Sequence, residues 1–341
     1  MRTASADLRS NAMKRFIRTV AALISAAMLC GCSGNTDPKP RLDVNTSPVV
    51  GENCVTPPFW VVEDDSTGAQ IFLLGSMHAG IKGAEYPDYV LEALRNSSWA
   101  APEMDTVDFS RDFVQQQKCA QYLLLNGTTM QDILGEDYDR TADYFRSKGI
   151  YQLGMDGMIP FYWASMASGL VIDEAGLDSS SGTESVLLEL AHSKKIEIRE
   201  IEGGEAQYKM MGEIPMSVQV QSLAECVGND KISAQAEASL ELYNAWSCFD
   251  EEYLGSLEVY DPAEVDSPED WQKYYDLMYA DRQKLMSDFI IDSLKCGEQG
   301  FVFVGAMHYF AEPSILTQLA DAGYTVTAIR GTAAGEGIQA A

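Results

Sequence analysis

Two short stretches of the chain are near-copies of each other, and each has the pattern of a buried strand followed by a histidine. Residues 71–80 read IFLLGSMHAG, and residues 301–310 read FVFVGAMHYF. An apolar run of this length is typical of a strand that is covered on both faces. The glycine after it lets the backbone turn sharply without a Cβ clash. Each stretch therefore predicts a strand that brings a histidine, His78 or His308, to one end of a sheet.

The chain has only three histidines, and two of them share this setting. A single histidine after a strand is more often an ordinary core or loop residue than a ligand, but the repeated setting makes coincidence the weaker explanation. Ligands of open α/β sheets collect outside the carboxyl ends of the strands, so we interpret His78 and His308 as half of a metal site. The third, His192, is predicted near the C-terminal end of a helix, beside Lys194 and Lys195. There it caps the negative end of the helix dipole and stays outside the site.

Carboxylates follow two further predicted strands. The apolar run at residues 98–101 ends in PEMD, which contains Glu103 and Asp105, and the alternating run EIREI at residues 197–201 ends at Glu202. Two imidazoles and a carboxylate suit a divalent metal such as Mn, Co, Zn or Fe, which activates water and polarises a carbonyl. Glu103 and Glu202 are the candidates for metal ligand and general base, with Asp105 in reserve. The sequence leaves open which glutamate is the ligand and which is the base.

Other chemistries find less support in the sequence. It has no HExxH, G-x-S-x-G or P-loop motif, and no G-x-G-x-x-G after a predicted strand. Five cysteines follow residue 32 without C-x-x-C spacing, which argues against a structural zinc site. Disulfides between Cys226 and Cys248 and between Cys54 and Cys296 are conceivable, but the sequence leaves the pairing open. Arg199, just before Glu202, is a candidate either to hold a substrate carboxylate or to pair with an acid.

The first residues have the pattern of a bacterial export signal. Three basic residues lead into a short apolar stretch, which ends in LCGC at residues 29–32. This ending resembles a lipobox and predicts removal of residues 1–31 and acylation of Cys32, with a plain secretory signal as the alternative. Residues 32–52 are rich in small polar residues and proline, so they are predicted to be a tether. The expected location is extracytoplasmic, with a lipid anchor in the bacterial cell membrane.

Charge and length limit the partners and the number of domains. Loss of residues 1–31 removes five basic residues and one acid, which lowers the formal net charge from −27 to −31. So acidic a surface repels phosphate backbones and argues against nucleic acid as a partner. About 290 residues remain after the tether, enough for one large domain. Strand–helix units flank a mostly helical region of roughly residues 110–295, so we predict an α/β (α+β) fold with a central mixed sheet and a helical insertion.

Single elements can also be predicted. Residues 59–62 and 70–74 flank a polar segment that contains Gly68, which is the pattern of a β-hairpin. Residues 159–171 are apolar almost all round and predict a buried helix. Two long helices are predicted over residues 216–247 and 271–294, and the stripe of Met and Tyr on the second is interpreted as core packing.

Four pieces of the chain resemble the TraB/GumN family, which includes the Tiki-type metalloproteases. They are LLGSMHAG (73–80), PEMD (102–105), GTESVLLELAHSKKIEIREIEGGEAQ (182–207) and FVFVGAMHYFAEPSILTQLADAGYTV (301–326). The resemblance implies that residues 53–341 form an α/β domain of two related strand–helix halves. It also implies metal-dependent peptide hydrolysis with His78, His308 and, as the best match, Glu103. The chain departs from the family at residues 311–314, where it has AEPS and the family commonly has glycines.

These observations favour an extracytoplasmic, metal-dependent hydrolase, most simply a peptidase. In this interpretation His78, Glu103 and His308 bind the metal, and Glu202 assists as base or outer-sphere acceptor. The expected partners are a peptide or small-molecule substrate and the membrane, and the oligomeric state is left open. Two alternatives remain. One is a non-catalytic surface lipoprotein that binds a peptide signal or a haem-like group, and the other is an esterase that uses the same sheet edge.

Overall fold

The computed structural model describes residues 39–258 and 267–333, and its centre is a six-stranded mixed sheet. The strands of the described residues are β1 (Val49–Val50), β2 (Phe59–Asp64), β3 (Ala69–Ser76), β4 (Trp99–Pro102), β5 (Glu197–Ile198), β6 (Gln299–Gly305), β7 (Val326–Ala328) and β8 (Thr332–Ala333). The large sheet has the order β5-β4-β6-β3-β2-β7, and β1 pairs with β8 separately. The predicted export signal, residues 1–31, and Cys32 lie outside the described residues.

The two ends of the chain meet in the middle of this sheet. β3 runs parallel to β6, with Leu73 opposite Val302, and β6 runs parallel to β4, with Val302 also opposite Ala101. The carboxyl ends of these three strands therefore lie at one edge. β2 pairs antiparallel with both β3 and β7, which confirms the hairpin predicted around residues 59–74. The predicted mixed α/β sheet is confirmed.

Helices cover both faces of the sheet and its carboxyl edge. In chain order, the helices of the described residues are α1 (Asp88–Asn96), α2 (Thr106–Arg111), α3 (Phe113–Ala120), α4 (Met130–Leu134), α5 (Tyr138–Ser147), α6 (Pro160–Glu174), α7 (Thr183–Lys194), α8 (Gly204–Glu213), α9 (Met216–Ala224), α10 (Asn229–Ser247), α11 (Glu251–Gly255), α12 (Pro268–Tyr275), α13 (Asp281–Lys295) and α14 (Ile315–Asp321). α13 and α14 pack on one face of the sheet, and α1 and α7 pack on the other. Both faces of β3 and β6 are thus buried, which is why their sequences are apolar without alternation.

Three predicted elements differ from the structure. The helix predicted over residues 216–247 is two helices, α9 and α10, because the chain turns between Ala224 and Asn229. The helix predicted over residues 271–294 contains a π-helical turn, Asp276–Ala280, between α12 and α13. The strand predicted over residues 197–201 is limited to β5, which pairs with β4 and adds an edge strand from within the helical insertion.

The second half of the predicted tether lies against the domain. Arg41 Nε donates to the carbonyl of Gly68 at 3.0 Å, and the Leu42 N–H donates to Gln70 Oε1 at 2.8 Å. β1 pairs with β8 close to the end of the described chain. None of the helices in the described residues combines the length and apolar composition needed to cross a bilayer. α6, predicted to be a buried apolar helix, does bury Phe161 and Trp163.

Candidate functional site

Three of the predicted site residues line one cavity at the carboxyl edge of the sheet. His78 lies two residues beyond β3, Glu103 directly follows β4, and His308 lies in a 3₁₀ turn, Ala306–Tyr309, directly after β6. The cavity has a volume of about 150 Å³ and is also lined by Arg282 and by residues of α6 and α10. The convergence of the two chain ends therefore brings His78 and His308 to a common space.

His308 is buried beside Glu103 and has an unsatisfied nitrogen. Its Nε2 lies 3.7 Å from Glu103 Oε1, and the same oxygen accepts a hydrogen bond from the Gly305 N–H at 2.7 Å. The His308 Nδ1 is buried without a hydrogen-bond partner in the described structure. Burial lowers the pKa of His308 well below its usual value, and the positive charges of Arg282 and His78 lower it further. His308 is therefore a neutral imidazole at physiological pH.

His78 is held in a different way, by a carboxylate from α7. Its Nδ1 lies 3.2 Å from Glu184 Oε1, which also accepts a hydrogen bond from the Ser76 hydroxyl. The negative charge of Glu184 raises the pKa of His78 to about 9 against the opposing effect of burial. A carboxylate on Nδ1 fixes the tautomer and the ring orientation and leaves Nε2 as the nitrogen for a ligand.

A close approach of backbone positions Glu184. The N-cap of α7, Gly182, lies so near the loop after β3 that a Cβ at this position would come within 2.2 Å of the His78 carbonyl oxygen. The next residue, Thr183, donates its N–H to the Met77 carbonyl at 2.8 Å. Glycine is required here for space, and the docking of this helix end places Glu184 beside His78.

Arg282 was missed in the sequence and connects both candidate glutamates. Its Nη2 donates to Glu103 Oε2 at 2.7 Å, and its Nε donates to Glu202 Oε1 at 3.1 Å. All three side chains are buried, and Arg282 is only 5% exposed. Glu202 is not among the residues that line the cavity. The structure therefore places Glu202 behind Arg282, as an ion-pair partner of the arginine that holds Glu103.

The sequence around Arg282 could have indicated that this residue has a buried ionic partner. Met278, Arg282 and Met286 are four residues apart on the buried side of the α12–α13 segment. A charged residue on a buried stripe needs an ionic partner, because a lone charge in the interior is very costly. The stripe was interpreted as core packing alone, so the arginine within it was not connected to the carboxylates.

Tyr279 is a second cavity residue that the sequence did not single out. Its ring centroid lies 5.7 Å from that of His308, and its hydroxyl is buried without a hydrogen-bond partner in the described structure. It lies in the π-helical turn Asp276–Ala280, and such turns are rare and frequent at functional sites. Two unsatisfied polar atoms, on Tyr279 and His308, thus belong to residues that line one cavity, which is expected where a polar ligand binds.

The types of side chain in the cavity suit a divalent metal, but the distances between their ligand atoms do not. Two imidazoles and a carboxylate are ordinary ligands for such ions, and the unsatisfied His308 Nδ1 indicates a missing partner. The three residues do not, however, form a group whose ligand atoms all lie within 4.8 Å of one another. Since Glu103 and His308 approach to 3.7 Å, His78 is the residue that lies too far from at least one of the other two. Binding of one ion therefore requires the side chains to move closer together.

A separate group in the described structure does meet that spacing. Ligand atoms of Asp105, Asp108 and His192 all lie within 4.8 Å of one another, so this group could hold a metal ion. His192 Nε2 lies 2.8 Å from Asp105 Oδ2, and Asp105 also caps α2 through the N–H groups of Val107 and Asp108. Burial raises the pKa of the neighbouring Glu200, and the charges of Asp105 and Asp108 raise it further. His192, predicted to interact with a helix dipole, is in the last turn of α7 but pairs with Asp105.

Arg199 and the cysteines take no part in the cavity. Arg199 pairs with Glu197 at 2.9 Å and Glu298 at 2.8 Å, so of its two predicted roles the structure shows the pairing with acids. The described cysteines are all free thiols. The pairings that were conceivable from sequence, Cys226 with Cys248 and Cys54 with Cys296, are not formed.

Comparison with known proteins agrees with the extent of this fold. No curated protein and no solved structure matched the chain. The model of the TraB/PrgY/gumN family matches residues 58–328. This span begins one residue before β2 and ends at the last residue of β7, so it contains the whole six-stranded sheet and every residue that lines the cavity. The chain belongs to the TraB/PrgY/gumN family.

Proposed function

We propose that the protein is a metal-dependent hydrolase that cleaves a peptide or related amide bond in the cavity between His78 and His308. It acts outside the cytoplasm, anchored to the bacterial cell membrane through an acylated Cys32. Family membership supports the fold of the site, and the chemistry of the cavity supports the reaction.

The observation that carries this proposal is the state of His308. A neutral imidazole with an unpaired Nδ1 lies beside Glu103 and lines the same cavity as His78. Leaving a buried polar atom unsatisfied costs about 1–3 kcal/mol, so such an atom is usually kept for a ligand. A neutral imidazole is also the form that binds a metal or accepts a proton from water.

The residues around the cavity have distinct roles in this proposal. His78, Glu103 and His308 would hold the metal, and His78 would release its Nε2 proton on binding it. The metal would supply a water of lowered pKa and polarise the scissile carbonyl. Glu184 fixes the orientation of His78. Arg282 holds Glu103 through Oε2 and leaves Oε1 on the side of His308. The hydroxyl of Tyr279 can donate to the oxyanion that develops on the substrate, because it has no partner in the described protein.

The rival haem-binding function fits the cavity poorly. Pockets that bury drug-sized ligands have volumes of roughly 300–1,000 Å³, whereas this cavity has about 150 Å³. A haem-like group is larger than such a space accepts. Absence of a Soret band after haem addition is therefore expected.

The proposal is tested by metal content and peptide hydrolysis in His78→Ala and His308→Ala. Both variants are expected to lose one bound metal ion and at least about 100-fold in kcat/KM, because each removes a ligand. His192→Ala is the matched control for hydrolysis, since it replaces the third histidine outside the cavity and hydrolysis should be unchanged. Any metal that this control loses belongs to the separate group of Asp105, Asp108 and His192. Unchanged metal content and hydrolysis in both cavity variants would reject the proposal. Retention of Cys32→Ala in the membrane fraction would reject the lipid anchor.

A further inference from the structure

We infer that the substrate carries one uncharged, apolar side chain of leucine to phenylalanine size beside the bond that is cleaved. The apolar end of the cavity binds this side chain. The inference rests on the proposed hydrolysis in the same cavity and adds the class of substrate.

One wall of the cavity is a single face of α6. Phe161, Ser165, Ser168 and Ile172 line the cavity at spacings of four, three and four residues, which places them on one side of a helix. Trp163, Ala164 and Ala167, on other sides of α6, pack into the core. The helix is therefore apolar on both sides because one side meets the protein interior and the other meets the cavity.

A second wall comes from α10 and has the same character. Ser239, Leu242 and Trp246 line the cavity at spacings of three and four residues. The indole Nε1 of Trp246 donates to the Gly75 carbonyl at 2.7 Å, so its polar atom is already satisfied. Leu254, in the short helix α11, also lines the cavity and is fully buried.

The serines in these walls do not make them polar. Ser165 donates its hydroxyl to the Tyr162 carbonyl at 2.7 Å, and Ser168 donates to the Ser165 carbonyl at 2.6 Å. Ser239 donates to the Gln235 carbonyl at 2.8 Å. Each hydroxyl proton is thus used within its own helix. The walls offer a bound group mainly carbon surface.

The charges at the other end of the cavity do not select an ionic side chain. Arg282 is paired with Glu103 and Glu202, and His78 is paired with Glu184. Every cation of the described cavity therefore already has a carboxylate partner. An anionic side chain would find no uncommitted cationic side chain in these walls, and a cationic group would leave water for an apolar wall at high cost.

The volume of the cavity limits the size of the substrate side chain that can bind there. An engineered apolar cavity of about 150 Å³ in another protein stays dry and binds benzene. The whole cavity here, including the space beside His78 and His308, has about the same volume, 150 Å³, so this volume is an upper limit for the side chain. A phenylalanine ring or a leucine side chain fills such a space, whereas the side chain of glycine or alanine leaves it empty. Burial of the larger groups should raise kcat/KM by about 10- to 100-fold over glycine.

The test uses two leucine substitutions that are matched in local structure. Ser168→Leu fills the cavity from α6. Ser193→Leu is the control, because Ser193 lies exposed on α7 and its hydroxyl donates to the carbonyl three residues earlier, as that of Ser168 does. Leu242→Ala enlarges the cavity from α10 and serves as a second probe if Ser168→Leu fails to fold.

Two measurements separate this inference from the proposed reaction. The first is calorimetric binding of toluene, an uncharged probe of the right size that needs neither metal nor hydrolysis. The second is kcat/KM for blocked peptides that differ in one side chain: glycine, leucine, phenylalanine, tryptophan or aspartate. We expect toluene to bind the wild type, Ser193→Leu and His308→Ala, and binding to fall at least tenfold in Ser168→Leu. Leucine and phenylalanine peptides should be preferred, and Leu242→Ala should shift the preference towards tryptophan.

The outcomes are distinguishable. Binding of toluene that Ser168→Leu abolishes, without hydrolysis of any peptide, would reject the reaction and keep the apolar binding site. Hydrolysis that does not depend on the side chain, or that favours aspartate, would overturn the inference and keep the reaction. Failure of toluene to bind the wild type would also overturn it.

Discussion

The two copies of the histidine motif have the same sequence pattern and the same place at the sheet edge, yet their histidines are in opposite states. His78 is partly exposed, pairs with Glu184 and has a pKa raised to about 9. His308 is 4% exposed, has an unpaired Nδ1 and has a pKa lowered well below its usual value. Pairs of groups whose pKa values are driven apart are typical of sites that move protons.

The cause of this difference lies outside the motifs. Each strand delivers its histidine to the edge, but the charges come from helices. α7 supplies the carboxylate beside His78. Burial is the main reason for the lowered pKa of His308, and the positive charge of Arg282, from α13, lowers it further. The duplicated strands therefore position the two histidines, and charged residues of the helical region shift the pKa values of their imidazoles. Changes to the helices should affect one histidine without the other.

The largest effect is expected from Arg282→Met. This change leaves Glu103 and Glu202 buried without the cation that neutralises them, and breaking a buried ion pair in this way costs about 3–5 kcal/mol of stability. The measurement is the free energy of unfolding in urea. Arg199→Met is the control, because its pairs with Glu197 and Glu298 are nearer the surface, and it should cost about 1 kcal/mol. A loss below 1 kcal/mol for Arg282→Met would contradict the buried network.

The contrast between strands and helices also explains how much of the molecule could be predicted. The hairpin and the strand-end positions of His78, His308 and Glu103 followed from local patterns, because an apolar run and the residue after it define a strand end. The shared cavity of His78 and His308 followed from the rule that parallel strands end at one edge. These parts needed no knowledge of distant contacts beyond the sheet itself.

Glu184, Arg282 and Tyr279 could not be found by the same reasoning. Helical spacing shows which residues are buried but not which other element they meet. An acid in the first turn of a helix ordinarily complements the helix dipole, and nothing local shows that Glu184 meets His78. Glu202 illustrates the same limit. The strand predicted before it ends at Ile198 and not at residue 201, and its partner, Arg282, comes from a helix 80 residues later.

The next prediction removes the partner of His78 alone. Glu184→Gln keeps the size of the side chain but loses the charge that orients the imidazole, so hydrolysis should fall by about 10- to 100-fold. Glu189→Gln, on an exposed position of the same helix, should have no effect. The measurement is kcat/KM on the preferred peptide, together with metal content. Equal activity of the two variants would show that Glu184 does not position His78.

A smaller effect concerns the pH dependence of stability in metal-free protein. The folded-state pKa of His78 is raised to about 9, so its pairing with Glu184 stabilises the fold below the unfolded pKa of about 6.5 and is lost as pH rises towards 9. Because the side chain is 35% exposed, solvent screening limits this contribution to about 1 kcal/mol. His308 has the opposite sign, since its lowered pKa stabilises the fold above about 6.5 and this contribution is lost as pH falls.

Unfolding in urea at several pH values tests the two opposite pH dependences of stability. Compared with the wild type, His78→Ala should lose less stability between pH 6.5 and 9. His308→Ala should lose less stability as pH falls below 6.5. Identical pH profiles in the two variants would show that the two imidazoles do not differ in protonation.

The smallest effects separate the two motif glycines, Gly75 and Gly305. Neither has a φ in the left-handed region, so the turn after each strand does not itself require glycine, in contrast to the expectation from sequence. Glycine fits at these positions because a Cβ would come close to neighbouring atoms. A Cβ on Gly75 would lie 3.1 Å from the Ala306 backbone, whereas a Cβ on Gly305 would lie 3.3 Å from Glu103 Oε1, a side-chain atom at the site.

Alanine substitutions should therefore have different consequences at the two positions. In Gly75→Ala the contact is with backbone of the second motif, which cannot yield cheaply, so unfolding free energy should fall by about 1 kcal/mol. In Gly305→Ala the carboxylate of Glu103 can shift by a few tenths of an ångström, so stability should change by less than about 0.5 kcal/mol. The same shift moves Glu103 relative to His308, so kcat/KM should still fall severalfold. Because the two substitutions are chemically identical, loss of activity without loss of stability only at Gly305 would assign Glu103 to the reaction, and parallel losses at both positions would assign it to packing.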